Sequence, residues 1–467
     1  PSPCILNLFK METEFKSINP FTEELLVTFP SVNEIVIENT LATMKFAQQI
    51  WQKKSVQERL FFLPKLSELL KEEADTLAQI ASIEMGKVKS HAKAEILKSA
   101  TLCDFYFTQA EQILASSKKD LGNSIEVELQ YEPLGIILGI FPWNFPYWQI
   151  LRSAIPTIVS GNAMLVKPAP NVPQCSLALQ KIIDQCGLPK DLFVTSFIET
   201  KSIASVISNN KIAAVTLTGS GKAGASVAST AAQNIKPAVL ELGGNDPLIL
   251  LEDAPIDQII DEILFSRFQN NGQSCVAAKR FLVHQSRINE FTEKAIQKIK
   301  KYRLGNPLEE GIDIGPLARI DLKEKLREQL KTSIAQGAEV LFQSTEIPKK
   351  GFFFPPTILG NINQENIANK EEFFGPILSL YSYSNEEELV QIANQSPFGL
   401  GASIFSQDLV RAKRIASQIE AGMVYINQMV KSDVRIPFGG IKNSGFGREL
   451  GVEGLLAFCQ RKTLWIK

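Results

Sequence analysis

Ile212-Ala-Ala-Val-Thr-Leu-Thr-Gly-Ser-Gly-Lys-Ala-Gly224 decides the fold class. An apolar run ends in glycines, so a buried strand is expected to turn sharply and open a helix. Gly219, Gly221 and Gly224 match G-x-G-x-x-G. In that pattern a bare backbone and a helix N-terminus let a pyrophosphate approach. A plain strand-to-helix turn would look the same. Three further apolar runs precede it, at 134–141, 163–166 and 192–197, with helical segments between several of them. Strands alternating with helices predict an α/β fold with a parallel sheet of βαβ units. Beyond about residue 245 a second α/β block follows, with a long helix near 286–301 and loops at 351–356 and Gly375-Pro376.

The length of 467 residues predicts two or three domains. A net charge of -1 offers no electrostatic footprint for nucleic acid or an anionic membrane. No apolar stretch approaches the length of a bilayer span. Residues 1–10 lack a basic leader, a long apolar core and a cleavage site, and Met11 is a candidate natural start. Cys4, Cys103, Cys175, Cys186, Cys275 and Cys459 are scattered without a C-x-x-C, which points to a reducing cytoplasm and to neither disulfides nor zinc. The two histidines, His91 and His284, have no triad-like or metal-like neighbours, so proton transfer falls to a carboxylate.

Residues 31–115 read as helices, with capping boxes expected at Ser31/Glu34 and Ser55/Glu58 and a break or kink at Pro64. Residues 124–132 switch period. Ile125, Val127, Leu129 and Tyr131 alternate with Glu126, Glu128, Gln130 and Glu132, which predicts a half-exposed antiparallel edge strand.

Four segments carry candidate chemistry. In Gln269-Asn-Asn-Gly-Gln-Ser-Cys275, small neighbours leave the Cys275 sulfur room to meet a ligand, as a covalent nucleophile requires. A buried structural thiol is the bland alternative. Lys167, at the end of the 163–166 run, is placed to bond ribose or phosphate, or is a solvated turn lysine. Glu241, in Leu240-Glu-Leu-Gly-Gly244, suits either a cofactor ribose or, with its pKa raised among apolar neighbours, general-base work. Asn144, enclosed by Phe141-Pro-Trp-Asn-Phe-Pro146, suits an oxyanion donor or an aromatic core turn.

Together these segments resemble the aldehyde dehydrogenase superfamily from about residue 18 to the C-terminus. The motifs run in the family's order: PWNFP at 142–146, KP at 167–168, the GS…G turn at 219–224 and ELGG at 241–244. GQSC follows at 272–275, EFFGP at 372–376 and PFGG-x-K-x-SG at 437–445. Segments 167–172, 277–281 and 432–435 resemble those of the short bacterial succinate-semialdehyde dehydrogenases. The resemblance implies Cys275 as nucleophile, Glu241 as the base that activates water, and Asn144 with the Cys275 N–H as the oxyanion hole. It implies NAD or NADP as cofactor, bound by Trp143, Lys167, Gly219, Ser220, Gly224, Glu372 and Phe374. It also implies three structural parts. A Rossmann-like cofactor domain spans 11–118 and 132–243, with 433–448 returning to it. A catalytic α/β domain spans 244–432, and a small β oligomerisation element comprises 119–131 and 449–467. The implied partners are a small aldehyde and further copies of the chain, as a homodimer or homotetramer.

Two departures bear on specificity. Pro170 stands where NAD-preferring members often carry a glutamate for the ribose hydroxyls, which leaves cofactor choice open. Ala277 replaces the second cysteine of a redox switch found in some relatives. For the far carboxylate of a semialdehyde, the resemblance implies Arg152, Ser432 and Phe438, while Gln269 replaces a second arginine of some relatives. Asn144 and Arg152 are expected on one face of one helix. The competing readings are another semialdehyde or aliphatic-aldehyde dehydrogenase, a CoA-acylating member, and a non-catalytic relative. Glu241 argues against the second, and Cys275, Asn144 and Glu241 together against the third.

Overall fold

The computed structural model describes residues 14–122 and 125–467, so Cys4 and the expected start at Met11 lie outside the described residues. A hairpin the sequence reading did not anticipate comes first, β1 (Glu14–Ile18) against β2 (Leu25–Pro30). Helices α1 (Glu34–Trp51), α2 (Val56–Leu60), α3 (Leu63–Glu72), α4 (Ala74–Met85) and α5 (Lys89–Leu114) follow. Both bonds of the Ser55/Glu58 capping box form, and the chain breaks between α2 and α3, where Pro64 opens the new helix. The Ser31/Glu34 box does not form. Asn33, immediately before the first helical residue, caps α1 through the Val36 N–H, and the Ser31 hydroxyl donates to Glu199 instead. The Val32 N–H donates to the Phe197 carbonyl and Asn33 is extended, which holds the chain two residues short of the expected start.

Strands β3 (Ser117–Asp120) and β4 (Glu126–Pro133) are followed by β5 (Ile136–Ile140), β6 (Ala163–Lys167), β7 (Phe193–Thr195), β8 (Ile212–Thr218) and β9 (Ala238–Glu241). The last five form one parallel sheet in the order β9-β8-β5-β6-β7. Its crossovers are α6 (Trp148–Val159), α7 (Pro173–Asp184), α8 (Ile203–Ser208) and α9 (Gly221–Gln233). The order reverses between β5 and β8, so their outgoing loops part and leave a crevice at the strands' carboxyl ends. PWNFP follows β5 and Gly219-Ser220 follows β8, which puts both motifs on that crevice.

A second sheet holds β10 (Pro247–Leu250), β11 (Arg280–His284), β12 (Glu339–Gln343), β13 (Thr357–Gly360) and β14 (Ile377–Tyr383). A short β15 (Phe398–Gly399) precedes β16 (Gly401–Phe405) and β17 (Met423–Ile426), and the sheet order is β12-β13-β14-β11-β10-β16-β17. All its pairings are parallel except that of β12 with β13. Helices α10 (Ile256–Phe268) and α11 (Ile288–Ile299) pack beside it, the latter where a long helix was expected. The C-terminal region then returns: β18 (Ile441–Lys442) pairs with β15, and β19 (Gly445–Phe446) adds antiparallel to β9, opposite Glu241.

Strand β20 (Cys459–Ile466) pairs along the whole of β4, giving a third sheet in the order β20-β4-β3. Strand β4 is therefore central, not the edge strand its charge alternation suggested. Only Val127 of β4 is buried, because the sheet is covered by little else of the chain. The pairing starts at Ser117, two residues before the expected boundary. Among the described residues all five cysteines are free, and no helix is long and apolar enough to cross a membrane.

Candidate active site

Cys275 lies between α10 and β11, beyond a turn in which Asn270, Asn271 and Gly272 have φ of 53°, 58° and 75°. Such left-handed geometry is costly for a residue with a Cβ, and asparagine tolerates it best through side-chain bonds to backbone. Both asparagines make them. Asn270 Nδ2 donates to the carbonyls of Asn144 and Gln273 at 2.8 and 2.9 Å, and Asn271 Nδ2 to those of Gly86 and Pro316. At Gly272 a Cβ would stand 2.5 Å from the Gly375 carbonyl group, so the turn packs directly on the EFFGP loop. Downstream, the buried Lys279 ammonium donates to the carbonyls of Ser274 and Cys275 at 2.7 and 2.6 Å and pairs with Glu372 at 3.0 Å. The half-buried Cys275 is thus pinned from both sides. Burial pushes its thiol up to about 11, while Lys279 and Arg152 pull it down.

Asn144 Nδ2 donates to the Gln273 carbonyl at 3.0 Å, and its Oδ1 accepts from Gln149 at 3.1 Å. An amide nitrogen has two hydrogens, so one remains for an oxyanion forming at Cys275. The loop around Asn144 is held from below by a buried pair that the sequence reading missed. Lys87 and Glu95 meet at 2.5 Å, Glu95 accepts the N–H groups of Tyr147 and Trp148, and Lys87 lies 3.8 Å from the Phe145 ring centre. Eight residues of separation, across the start of α5, gave no helical spacing by which to pair them.

Glu241 ends β9, and both its carboxyl oxygens are buried without a hydrogen-bond partner among the described residues. Burial first, and then Glu449, push it well above the usual carboxylate range, with Arg152 and Arg448 opposing. Arg152 was expected to share a helix with Asn144, but α6 begins only at Trp148. The prolines of PWNFP keep Asn144 outside it. The Arg152 guanidinium instead pairs with the buried Glu449, reaches the Thr218 hydroxyl at 3.3 Å and lies 4.8 Å from the Phe438 ring centre. Replacing it leaves the buried Glu449 without its ion-pair partner and Glu241 with Arg448 alone. We therefore expect Arg152→Ala to cost about 3–5 kcal/mol of stability. Thermal unfolding should show a lower Tm, and aldehydes with and without a carboxylate should lose activity together. An unchanged Tm with a loss confined to carboxylated aldehydes would contradict this.

Two cavities meet at Cys275. One, of about 430 Å³, is lined by Trp143, Gly219, Ser220, Glu372 and Phe374 as well as Cys275. Its walls fit a dinucleotide. A Cβ on Gly221 would meet nothing within 4 Å, so the backbone at the start of α9 is open to a pyrophosphate. Gly224 has a different role: a Cβ there would meet Leu242 at 2.6 Å, so glycine lets α9 pack on the chain beyond β9. Trp143 and Phe374 meet edge to face at 5.8 Å. Glu372 also accepts the Gly244 N–H at 3.2 Å. Lys167 ends β6 beyond this lining, where burial lowers it to about 8. The other cavity, of about 180 Å³, is lined by Arg152, Gln269, Ser432 and Phe438, again with Cys275. Lys98 and Glu95 also line it, and neither was anticipated from the sequence.

Residues 9–464 match the aldehyde dehydrogenase family. A probable NADP+-dependent succinate-semialdehyde dehydrogenase of Synechocystis sp. is 41% identical over 452 residues, covering 96% of this chain and 99% of that protein. A succinate semialdehyde dehydrogenase of Escherichia coli, described as using NAD(P)+, is 38% identical over 96% of this chain and 97% of its own. The crystal structure of succinic semialdehyde dehydrogenase from Streptococcus pyogenes with NADP+ superposes with a TM-score of 0.94 at 33% identity, covering 97% of this chain and 99% of that one. With the family match over residues 9–464 and the α/β architecture in agreement, the chain belongs to the aldehyde dehydrogenase family.

Proposed function

We propose that this enzyme oxidises succinate semialdehyde to the dicarboxylic acid with NAD+ or NADP+. The observation that carries the reading is the position of Cys275 in the walls of both cavities. An aldehyde entering from one side and a cofactor from the other would meet at the sulfur. The Cys275 thiolate attacks the carbonyl carbon, and the Asn144 amide and the Cys275 N–H take up the charge on oxygen. A nicotinamide cofactor held by Trp143, Gly219, Ser220, Glu372 and Phe374 would accept the hydride that the tetrahedral adduct loses, and a thioester would remain on Cys275. Glu241 takes a proton from water, which attacks the thioester and releases the acid. The neighbourhood of named succinate-semialdehyde dehydrogenases supports the substrate, as does a cavity bearing cations. A panel of aldehydes, assayed with each cofactor, tests it. The highest kcat/KM should fall on succinate semialdehyde, and equal values for butanal would overturn the choice of substrate.

Both cofactors are expected to serve. Pro170 accepts no bond from ribose hydroxyls and carries no charge to repel a 2′-phosphate. A phosphate near the buried Lys167 would restore its full charge and form a charge-assisted bond. Pro170→Glu should shift preference toward NAD+. A wild-type preference for NAD+ of about a thousandfold, or about 4 kcal/mol, would contradict this account. Self-association through the lightly covered β20-β4-β3 sheet, and division into cofactor, catalytic and association parts with the last beginning at Ser117, complete the proposal.

A further inference from the structure

Lys279 stands four residues beyond the nucleophile, just before β11. The chain between them folds back, with the Ala277 N–H on the Ser274 carbonyl at 3.2 Å and the Ala278 N–H on that of Ser266 at 3.3 Å. The lysine side chain is left 2% exposed. An ammonium carries three hydrogens. Here each has an acceptor: the Ser274 carbonyl, the Cys275 carbonyl and, at 3.0 Å, Glu372 Oε1. A buried ammonium needs an anion, and this one takes it from the EFFGP loop. The backbone of that loop is fixed separately, by the buried Arg267 guanidinium on the carbonyls of Phe373 and Ile377 at 2.9 and 2.7 Å. Lys279 thus joins the nucleophile turn to an acid of the cofactor cavity.

Glu372 is divided between two sides. Oε1 accepts from Lys279 and, at 3.2 Å, from the Gly244 N–H. Oε2 accepts no bond among the described residues and lies over Gly243, where a Cβ would come within 2.5 Å of it. Gly243 and Glu372 both line the larger cavity, so Oε2 is left for a pair of ribose hydroxyls while Oε1 stays fixed. On the other side, the charge of Lys279 reaches the sulfur. Burial raises the Cys275 thiol, Lys279 and then Arg152 lower it, and Glu372 and Glu241 raise it again. Asp246, itself buried and pushed up to about 7, is a further anion in the field of Lys279.

We propose that Lys279 is a positioning residue for both halves of the site: it holds Glu372 in place for the cofactor ribose, and its charge favours the thiolate of Cys275. The proposal rests on the reading of the larger cavity as a dinucleotide site. Lys279 and Glu372 then cooperate in gripping the cofactor and act on the sulfur with opposite signs.

Wild type, Lys279→Met, Glu372→Gln and the double variant are compared, all free of cofactor, for alkylation of Cys275 by iodoacetamide at pH 8. The reagent is neutral, so a lost charge does not steer it, and mass analysis of the Cys275 peptide separates this thiol from the others. Lys279→Met should slow alkylation about threefold to tenfold, because less thiolate is present. Glu372→Gln should speed it by a similar factor, and the double variant should return near wild type. Fluorescence titration with NAD+ and NADP+ gives the second readout. Affinity should fall about threefold to tenfold in Lys279→Met, where Glu372 is no longer held, and about tenfold or more in Glu372→Gln.

Alkylation slowed in both single variants, as a loosened turn would cause, or changed in neither, would overturn the proposal. So would a Lys279→Met protein with wild-type cofactor affinity. If Lys279→Met does not fold, the double variant, which leaves no lone Glu372 carboxylate, replaces it. It should be alkylated more slowly than Glu372→Gln, and equal rates would overturn the proposal. A wild type that binds neither dinucleotide would remove the proposed function together with this proposal, whereas unchanged binding across the variants would remove this proposal alone.

Discussion

Cys275→Ala should abolish aldehyde oxidation, with a loss of at least about 10⁴-fold in kcat. Nothing else in the walls of both cavities offers a nucleophile of comparable strength. Gln149, the residue that both cavities share with Cys275, carries only an amide. The substitution removes one sulfur from a half-buried position whose backbone is held by Lys279 and by the turn at 270–272, so the fold and cofactor binding should survive. Activity is read as reduced nicotinamide formed, and cofactor affinity by fluorescence titration of the same protein. An alanine variant working within tenfold of wild type would remove Cys275 from the chemistry. Cys275→Ser should be nearly as impaired, since a hydroxyl lacks the acidity of a thiol.

Glu241→Gln should lower steady turnover by about 10²–10⁴-fold while leaving cofactor affinity intact. The carboxyl is buried, lacks a hydrogen-bond partner among the described residues and is held well above the ordinary carboxylate range, so it can take a proton near neutral pH. Glutamine fills the same space and cannot. Loss of stability should not confuse the result. A carboxyl whose folded pKa exceeds its unfolded value of about 4.3 destabilises the fold increasingly as pH rises above that value. The Glu241→Gln protein should therefore match or exceed wild type in Tm at pH 8, by a margin that shrinks toward pH 4. A clearly lower Tm at pH 8 would show a bond to Glu241 that the account lacks.

What was legible in the sequence followed chain-local physics. β8 coincides with its apolar run because a central parallel strand is buried on both faces and needs no partner to be recognised. Ser55 and Glu58 could be paired because both bonds of a capping box lie within one turn. The Ser31 box failed because Asn33, a stronger and nearer cap, competes with it and the hydroxyl found Glu199. β4 looked like an edge because its second partner, β20, lies at the other end of the chain. The candidate site divides the same way. Cys275, Asn144 and Glu241 stand in short motifs, and the fold brings their segments together around the two cavities. Arg152 was assigned by resemblance and by its spacing from Asn144, but its nearest charge is Glu449, which no spacing indicates. Lys98 stayed invisible because Ser432, to which it donates, is 334 residues away.

The reaction turns on a thioester on Cys275 that Glu241-activated water resolves. Rapid mixing of Glu241→Gln with succinate semialdehyde and saturating cofactor, quenched in acid for mass analysis, tests it most directly. One equivalent of reduced nicotinamide per active site should form in a fast burst, and with it a succinyl group on the Cys275 peptide that decays only slowly. Slow formation of reduced nicotinamide without a burst, and an unmodified Cys275, would contradict it, placing Glu241 before hydride transfer or the chemistry away from this sulfur.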